Sequence, residues 1–231
     1  MSLDFSTSIF RYYFRSKPVM NLLPKKDLAL FREHLLLLKF KKGKELFREG
    51  GYPKGLYILK KGKVKLYQQT QDGSEQIVYI YTPGDMFGYR PLLCNERHPA
   101  SSKTIEECSI FFLPTKYFLE ALKKSNPLSN LLLQNLSHEF TVLVNLIAAF
   151  GQRSAKERMA LSLLILREKY KRPGSSIVEV TLSRADLAAF IGTTNETVAR
   201  LISKFKEEKL IRVNGRKIVL SDVSGLYRIT E

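Results

Sequence analysis

The chain has 231 residues, 44% of them apolar, and a formal net charge of +16. That apolar share supports a buried core and excludes bulk disorder, and the length suits one or two domains. Two cysteines, Cys94 and Cys108, are too few for a disulfide scaffold or a four-thiolate cluster, and no unbroken apolar run or export-signal pattern is evident, so a cytoplasmic protein without a membrane partner is expected.

The charge favours a polyanion such as nucleic acid or acidic lipid, or simply a solvated basic face. It is spread along the chain. Residues 1–151 carry 22 basic and 13 acidic side chains, net +9, and residues 152–231 carry 16 and 9, net +7.

Near the start, Phe10, Tyr12, Tyr13 and Phe14 form an aromatic cluster. From Pro24 to about Leu38, Leu28, Phe31, Leu35 and Leu38 recur at steps of three and four, which predicts a helix. Its end is basic, with Lys39, Lys41, Lys42 and Lys44. Residues 40–115 change character: short β-rich runs alternate with glycines. Asp72-Gly73 between two such runs predicts a hairpin, and the whole stretch predicts a small barrel or sandwich.

Asn126-Pro127 opens a long helix, because proline is tolerated in the first turn. Leu133, Leu136, Phe140, Leu143, Ile147 and Phe150 follow a heptad seam, which suits a coiled-coil dimer contact and also suits the core helix of a monomer. Gly151 predicts a break. Ser154 and Glu157 then have capping-box spacing for a new helix, so a hinge is expected between Gly151 and Ser154. Pro173-Gly174 marks a loop over residues 170–176, and 177–181 reads as a strand.

Ser183 caps a short helix, Gly192 makes a turn, and a second helix runs from Asn195 to Leu210 with Val198, Leu201, Ile202 and Phe205 on its apolar face. A hairpin on Asn214-Gly215 follows. Helix, glycine turn, helix and hairpin make a winged helix-turn-helix. In that motif the second helix presents its N-terminal turn to the DNA major groove. Asn195 can bond adenine, Glu196 can accept from cytosine, and Arg200 can bond guanine. The alternative for the last two, four apart, is an ordinary helix ion pair. Arg216 and Lys217 beside the wing tip suit phosphate contacts or plain solvation.

These residues resemble the cyclic-AMP receptor and fumarate-nitrate regulator (CRP/FNR) superfamily over roughly residues 27–225. Gly192-Thr-Thr-Asn-Glu-Thr-Val-Ala-Arg200 fits its G-x-[ST]-x-E-T-[VI]-x-R pattern. Gly62, Asp72-Gly73, Pro83-Gly84-Asp85 and Phe87-Gly88 fit its β-roll. The resemblance implies an α+β protein: an N-terminal cyclic-nucleotide-binding-like β-roll (a double-stranded jelly roll) over 1–125, a dimerisation helix and hinge over 126–152, and a winged helix-turn-helix over 153–231. It implies a homodimeric transcription regulator, not an enzyme, binding double-stranded DNA at a palindrome with TGA-like half-sites. Ser183, Arg184, Thr194, Thr197 and Arg216 would hold phosphates. The 170–176 loop lies where relatives touch RNA polymerase.

The sensory end departs from the cyclic-AMP binders of that superfamily. Their cassette reads roughly F-G-E-L with an R-S pair about ten residues on. Here the first part is Phe87-Gly88-Tyr89-Arg90, and Pro99-Ala100-Ser101 lacks the arginine; Arg97 falls two residues early. The Thr-Ser pair of their dimer helix aligns with Leu143-Val144. Residues 1–40 hold no cysteine for an iron–sulfur cluster, and the spacing of Cys94 and His98 is not that of the haem sensors. No cofactor or metal is expected, and thiol sensing by Cys94 stays open. Cyclic AMP is disfavoured. The alternative is a nucleotide or other small effector in a rebuilt pocket using Phe87, Gly88, Tyr89, Arg90 and Arg97.

Overall fold

The computed structural model describes residues 9–14, 22–171 and 178–231. By contact they form two units: residues 22–138 in one, residues 9–14 with 139–231 in the other.

In the first unit, α1 (Lys25–Arg32) precedes eight strands: β1 (Leu36–Phe40), β2 (Glu45–Phe47), β3 (Gly55–Lys61), β4 (Val64–Gln69), β5 (Glu75–Tyr81), β6 (Met86–Phe87), β7 (Ser101–Thr104) and β8 (Cys108–Pro114). Helix α2 (Arg90–Cys94) sits between β6 and β7, and α3 (Thr115–Lys124) follows β8. Strand β1 pairs with β8, β2 with β7, β3 with β6 and β4 with β5, all antiparallel. A long double strand rolled on itself gives this nesting, the jelly roll expected from the sequence. It makes two four-stranded sheets, β1-β8-β3-β6 and β2-β7-β4-β5.

The helix expected from Pro24 to Leu38 ends at Arg32. Leu36, Leu37 and Leu38 instead pair with Phe112, Phe111 and Ile110 of β8. A run of leucines fits either periodicity, and the exposed ladder of β8 decides for strand.

Alternate residues of β8, Cys108 and Ile110, are buried on one face of the strand, and Leu113, of the opposite parity, is buried on the other. Tyr57, Phe87 and Tyr81 stack inside the roll, with Phe87 4.7 Å from Tyr81 and 5.3 Å from Tyr57. Leu56, Ile58, Tyr89 and Leu113 share one cluster with Phe118 of α3 and with Leu128, Leu131 and Leu132 of the next helix. Each such buried side chain contributes roughly 1.5–3 kcal/mol relative to exposure.

That next helix, α4 (Asn126–Gln152), has 27 residues. An 18-residue window of it has a mean hydropathy of 1.2, so the helix is long and apolar enough to cross a membrane by length and composition alone. The stretch is not an unbroken apolar run, because Asn130, Asn135 and Glu139 interrupt it. Its leucines at 128, 131 and 132 serve the core of the roll instead.

Gly151 lies within α4, and the break comes at Arg153–Ser154. The expected capping box then forms, with both Ser154–Glu157 bonds present, and opens α5 (Ala155–Tyr170). Met159, Ala160, Leu161, Leu163, Leu164, Ile165 and Leu166 are all buried. Buried on every side from Met159 to Leu166, α5 is the central helix of the second unit. Around it lie α6 (Arg184–Ile191), α7 (Asn195–Glu207), α8 (Val223–Ile229) and a three-stranded sheet ordered β10 (Ile211–Asn214), β11 (Lys217–Leu220), β9 (Glu179–Thr181). The 172–177 part of the loop and strand expected at 170–181 lies outside the described residues, including Arg172 and Ile177.

Candidate nucleic-acid interface

Helix α6 begins at Ser183, whose hydroxyl oxygen accepts from the Asp186 amide at 3.0 Å. It ends at Gly192, which takes the left-handed conformation (φ 66°, ψ 56°) that a tight helix exit favours. Two residues later Thr194 caps α7, its hydroxyl accepting from the Thr197 amide at 3.3 Å. Caps at both starts and a left-handed glycine between them fix the turn between the two helices.

The buried face of α7 is Val198, Leu201, Ile202 and Phe205. Its first turn therefore faces outward, and Asn195, Glu196 and Arg200 are exposed. The Glu196 carboxylate is held below its usual pKa by its own amide and then by the Thr194 hydroxyl. It therefore stays ionised as a hydrogen-bond acceptor. Among the described residues no ion pair joins it to Arg200. Arg158 of α5 donates to the carbonyls of Ile191 and Gly192, bracing the turn from below.

At the wing, Asn214 pairs with Lys217. The two-residue loop is thus Gly215-Arg216, one step later than an Asn-Gly turn. Gly215 has φ +56°, the first central position that a type II′ turn gives to glycine. Arg184, at the start of α6, donates to the Gly215 carbonyl at 3.4 Å and so reaches the wing. Partial burial lowers its pKa. Lys217 forms a 2.8 Å ion pair with Glu179 of β9. Arg216 is exposed. The structure thus brings Ser183, Arg184, Thr194, Thr197, Asn195, Glu196, Arg200, Arg216 and Lys217 into one unit, with Ser183 and Thr194 engaged as caps and Lys217 already paired.

Along α4, Leu133, Phe140 and Ile147, seven apart, are 61%, 70% and 74% exposed. Leu136, Leu143 and Phe150 are half-buried.

At the sensory end, Phe87, Gly88 and Tyr89 are buried, and Tyr89 belongs to the core cluster with Phe118 and Leu128. Arg90 donates to the Tyr81 hydroxyl at 3.2 Å. Arg97 is held apart from these: it donates to the Gly50 carbonyl and, at 2.9 Å, to the Tyr52 hydroxyl. His98 stacks on Phe47 at 3.9 Å, and burial pushes its pKa down to about 4. Burial pushes the Cys108 thiol up to about 11. Desolvation and the neighbouring Glu96 raise that of Cys94.

A jelly roll packed on the start of a long helix, followed in the sequence by a winged helix-turn-helix, defines a two-domain transcription regulator. Residues 37–125 match the cyclic nucleotide-binding domain, and residues 157–229 match the Crp-like helix-turn-helix domain. The anaerobic regulatory protein of Haemophilus influenzae is 28% identical over 191 residues, 82% of this chain and 74% of that protein. The fumarate and nitrate reduction regulatory protein of Vibrio cholerae is 28% identical over 190 residues, 81% of this chain and 76% of that protein. The structure of FixK2 from Bradyrhizobium japonicum superposes with a TM-score of 0.76 at 23% identity, covering 85% of this chain and 98% of that one. The chain belongs to the CRP/FNR superfamily of transcription regulators, and the relatives it matches are regulators rather than enzymes.

The sequence reading missed three contributors to this unit: Arg158, Arg153 and the docked 9–14 segment. Only the aromatic cluster at 10–14 was visible, without its destination.

Proposed function

We propose that the protein is a cytoplasmic, homodimeric, sequence-specific DNA-binding regulator that acts on an inverted repeat. The observation that carries this is the first turn of α7: it is capped by Thr194 and presents to solvent Asn195, an ionised Glu196 and an Arg200 with no ion pair among the described residues. Those groups match the donor and acceptor pattern of base edges in the major groove. Glu196 and Arg200 would read a G·C pair in a TGA-like half-site, and Asn195 a neighbouring base. Arg184 and Arg216 would hold phosphates with Ser183, Thr194, Thr197 and Lys217.

The exposed heptad of Leu133, Phe140 and Ile147, with Leu136, Leu143 and Phe150 beside it, supports pairing of two α4 helices. The functional division is a sensory roll (within 1–125, apart from residues 9–14, which group with the other unit), a dimer helix with hinge (126–152) and a DNA-binding domain (153–231). RNA polymerase is the expected protein partner.

Regulation independent of cyclic AMP is the reading we favour. Tyr89 stands where the cyclic-AMP binders need glutamate, and it is spent in the apolar core. The raised thiol pKa values of Cys108 and Cys94 disfavour a thiolate sensor. The second reading, a rebuilt small-effector pocket, draws on Arg90, whose guanidinium borders the roll interior at Tyr81.

The test is DNA binding by purified protein, with and without cyclic AMP, against an inverted repeat of TGA-containing half-sites and its scrambled form. Preference for the repeat, unchanged by the nucleotide, is the expected result. Equal affinity for both duplexes rejects specificity, and a preference that appears only with cyclic AMP rejects independence.

A further inference from the structure

Residues 9–14 are built into the second unit. Ile9, Tyr12, Tyr13 and Phe14 are buried. Asn145 of α4 donates to the Arg11 carbonyl at 3.2 Å. Lys169 of α5 donates to the Phe14 carbonyl at 3.0 Å and lies 5.4 Å from the centre of its ring. The segment is therefore pinned at two backbone points to two different helices.

Where it passes the α4–α5 junction it walls a cavity of about 300 Å³, lined by Arg11, Tyr12, Arg153, Tyr227, Thr230 and Glu231 among others. That volume is at the lower end of small-molecule sites. The guanidinium carbons of Arg11 and Arg153 lie 4.9 Å and 5.6 Å from the centre of the same Tyr12 ring. Arg153 is oriented by one bond, Nη2 to the Thr230 carbonyl at 2.9 Å. Its Nη1 is buried and has no hydrogen-bond acceptor among the described residues. A buried, charged donor without an acceptor is costly, which is why such groups are usually met by a counter-group. Glu231 also lines the cavity, so its wall carries charges of both signs.

We propose that this cavity binds a small hydroxylated oxyanion, with its phosphate or carboxylate head on Arg11 and Arg153 and its hydroxyls toward Glu231 and Thr230. Arginine favours such heads because its planar donors match two oxygens at once. The ligand would fasten the 9–14 segment to Thr230 and Glu231, just past α8, beside the α4–α5 junction. The site is separate from α7 and from the roll interior, so it does not rest on the DNA-binding reading.

The test is calorimetric titration of the full chain, free of DNA, with glycerol 3-phosphate, with glycerate and with glycerol. One of the two anions is expected to bind once per chain while neutral glycerol gives no heat, and the stronger one identifies the head group. The Arg11→Ala substitution should weaken that anion at least tenfold. The Arg11 guanidinium is exposed and donates no hydrogen bond within the described residues, so its removal leaves the fold supported. Arg32→Ala, on a helix of the other unit, is the charge control and should bind as the parent does. As a second readout, the anion should raise the thermal midpoint of the parent protein and not of the Arg11→Ala variant. Silence from both anions, or equal binding by the parent and Arg11→Ala, overturns the proposal.

Discussion

Arg158 and Gly192 are joined by a 3.0 Å hydrogen bond from Nη2 to the glycine carbonyl. The same guanidinium donates from Nε to the Ile191 carbonyl at 2.8 Å and from Nη1 to the Arg153 carbonyl at 3.0 Å. One side chain thus ties the α4–α5 junction to the turn that aims α7. A lysine, with a single ammonium centre, lacks the fork that serves both places.

Replacing Arg158 with alanine leaves four carbonyls, those of Phe150, Arg153, Ile191 and Gly192, without a charged donor. Charge-assisted bonds contribute about 1.5–3 kcal/mol each and are not additive, so a loss of about 2–4 kcal/mol is expected. Chemical unfolding of the parent, Arg158→Ala and Arg158→Lys measures it. The lysine variant should recover less than half the loss.

Ser154→Ala removes the cap of α5 and should cost about 1 kcal/mol. The sign of its pH dependence follows from Glu157, whose carboxylate takes the Ser154 hydroxyl and amide, both at 2.7 Å. Those bonds hold its pKa below the ordinary glutamate value. A depressed pKa in the folded state stabilises above the unfolded value and stops doing so as pH falls through the folded one. The difference between parent and Ser154→Ala should therefore be full at neutral pH and shrink in acid, as unfolding curves over that range will record.

A charge in the heptad tests self-association. Phe140 is 70% exposed on α4, so Phe140→Asp should leave the fold of one chain intact while placing like charges together in a paired seam. Sedimentation should show dimer dissociation strengthened at least tenfold, about 1.4 kcal/mol. Unchanged dimerisation would place the contact elsewhere.

At the DNA surface, Arg200→Ala should cost about 1–3 kcal/mol on the preferred duplex and relax one base position. Arg216→Ala should weaken all sequences alike and reduce the salt dependence by about one counterion. Lys217→Ala should do less, because Lys217 is already paired with Glu179. Binding isotherms across salt concentrations separate the three.

The winged domain was legible because its signals are local: Ser183 and Thr194 cap their own helices, and Gly192 and Gly215 supply the conformations their turns need. The jelly roll was legible as alternating strands and turns, but β1 was not. The leucine run at 35–38 fits helix or strand, and only its ladder with β8 decides. Gly151 looked like a break, yet the helix continues to Gln152 because one glycine costs only ~1 kcal/mol there. Arg158 and residues 9–14 were invisible for a different reason. Their partners lie far along the chain, at Ile191, Gly192 and Lys169, and no spacing rule connects them.

The central claim is sequence-specific reading of DNA by two copies of α7. Selection of bound duplexes from a random DNA pool by the purified protein tests it most directly. An enriched inverted repeat, with TGA-like half-sites centred about one helical turn apart, is the predicted result. Recovery of no motif, or of a single unrepeated site, would contradict it.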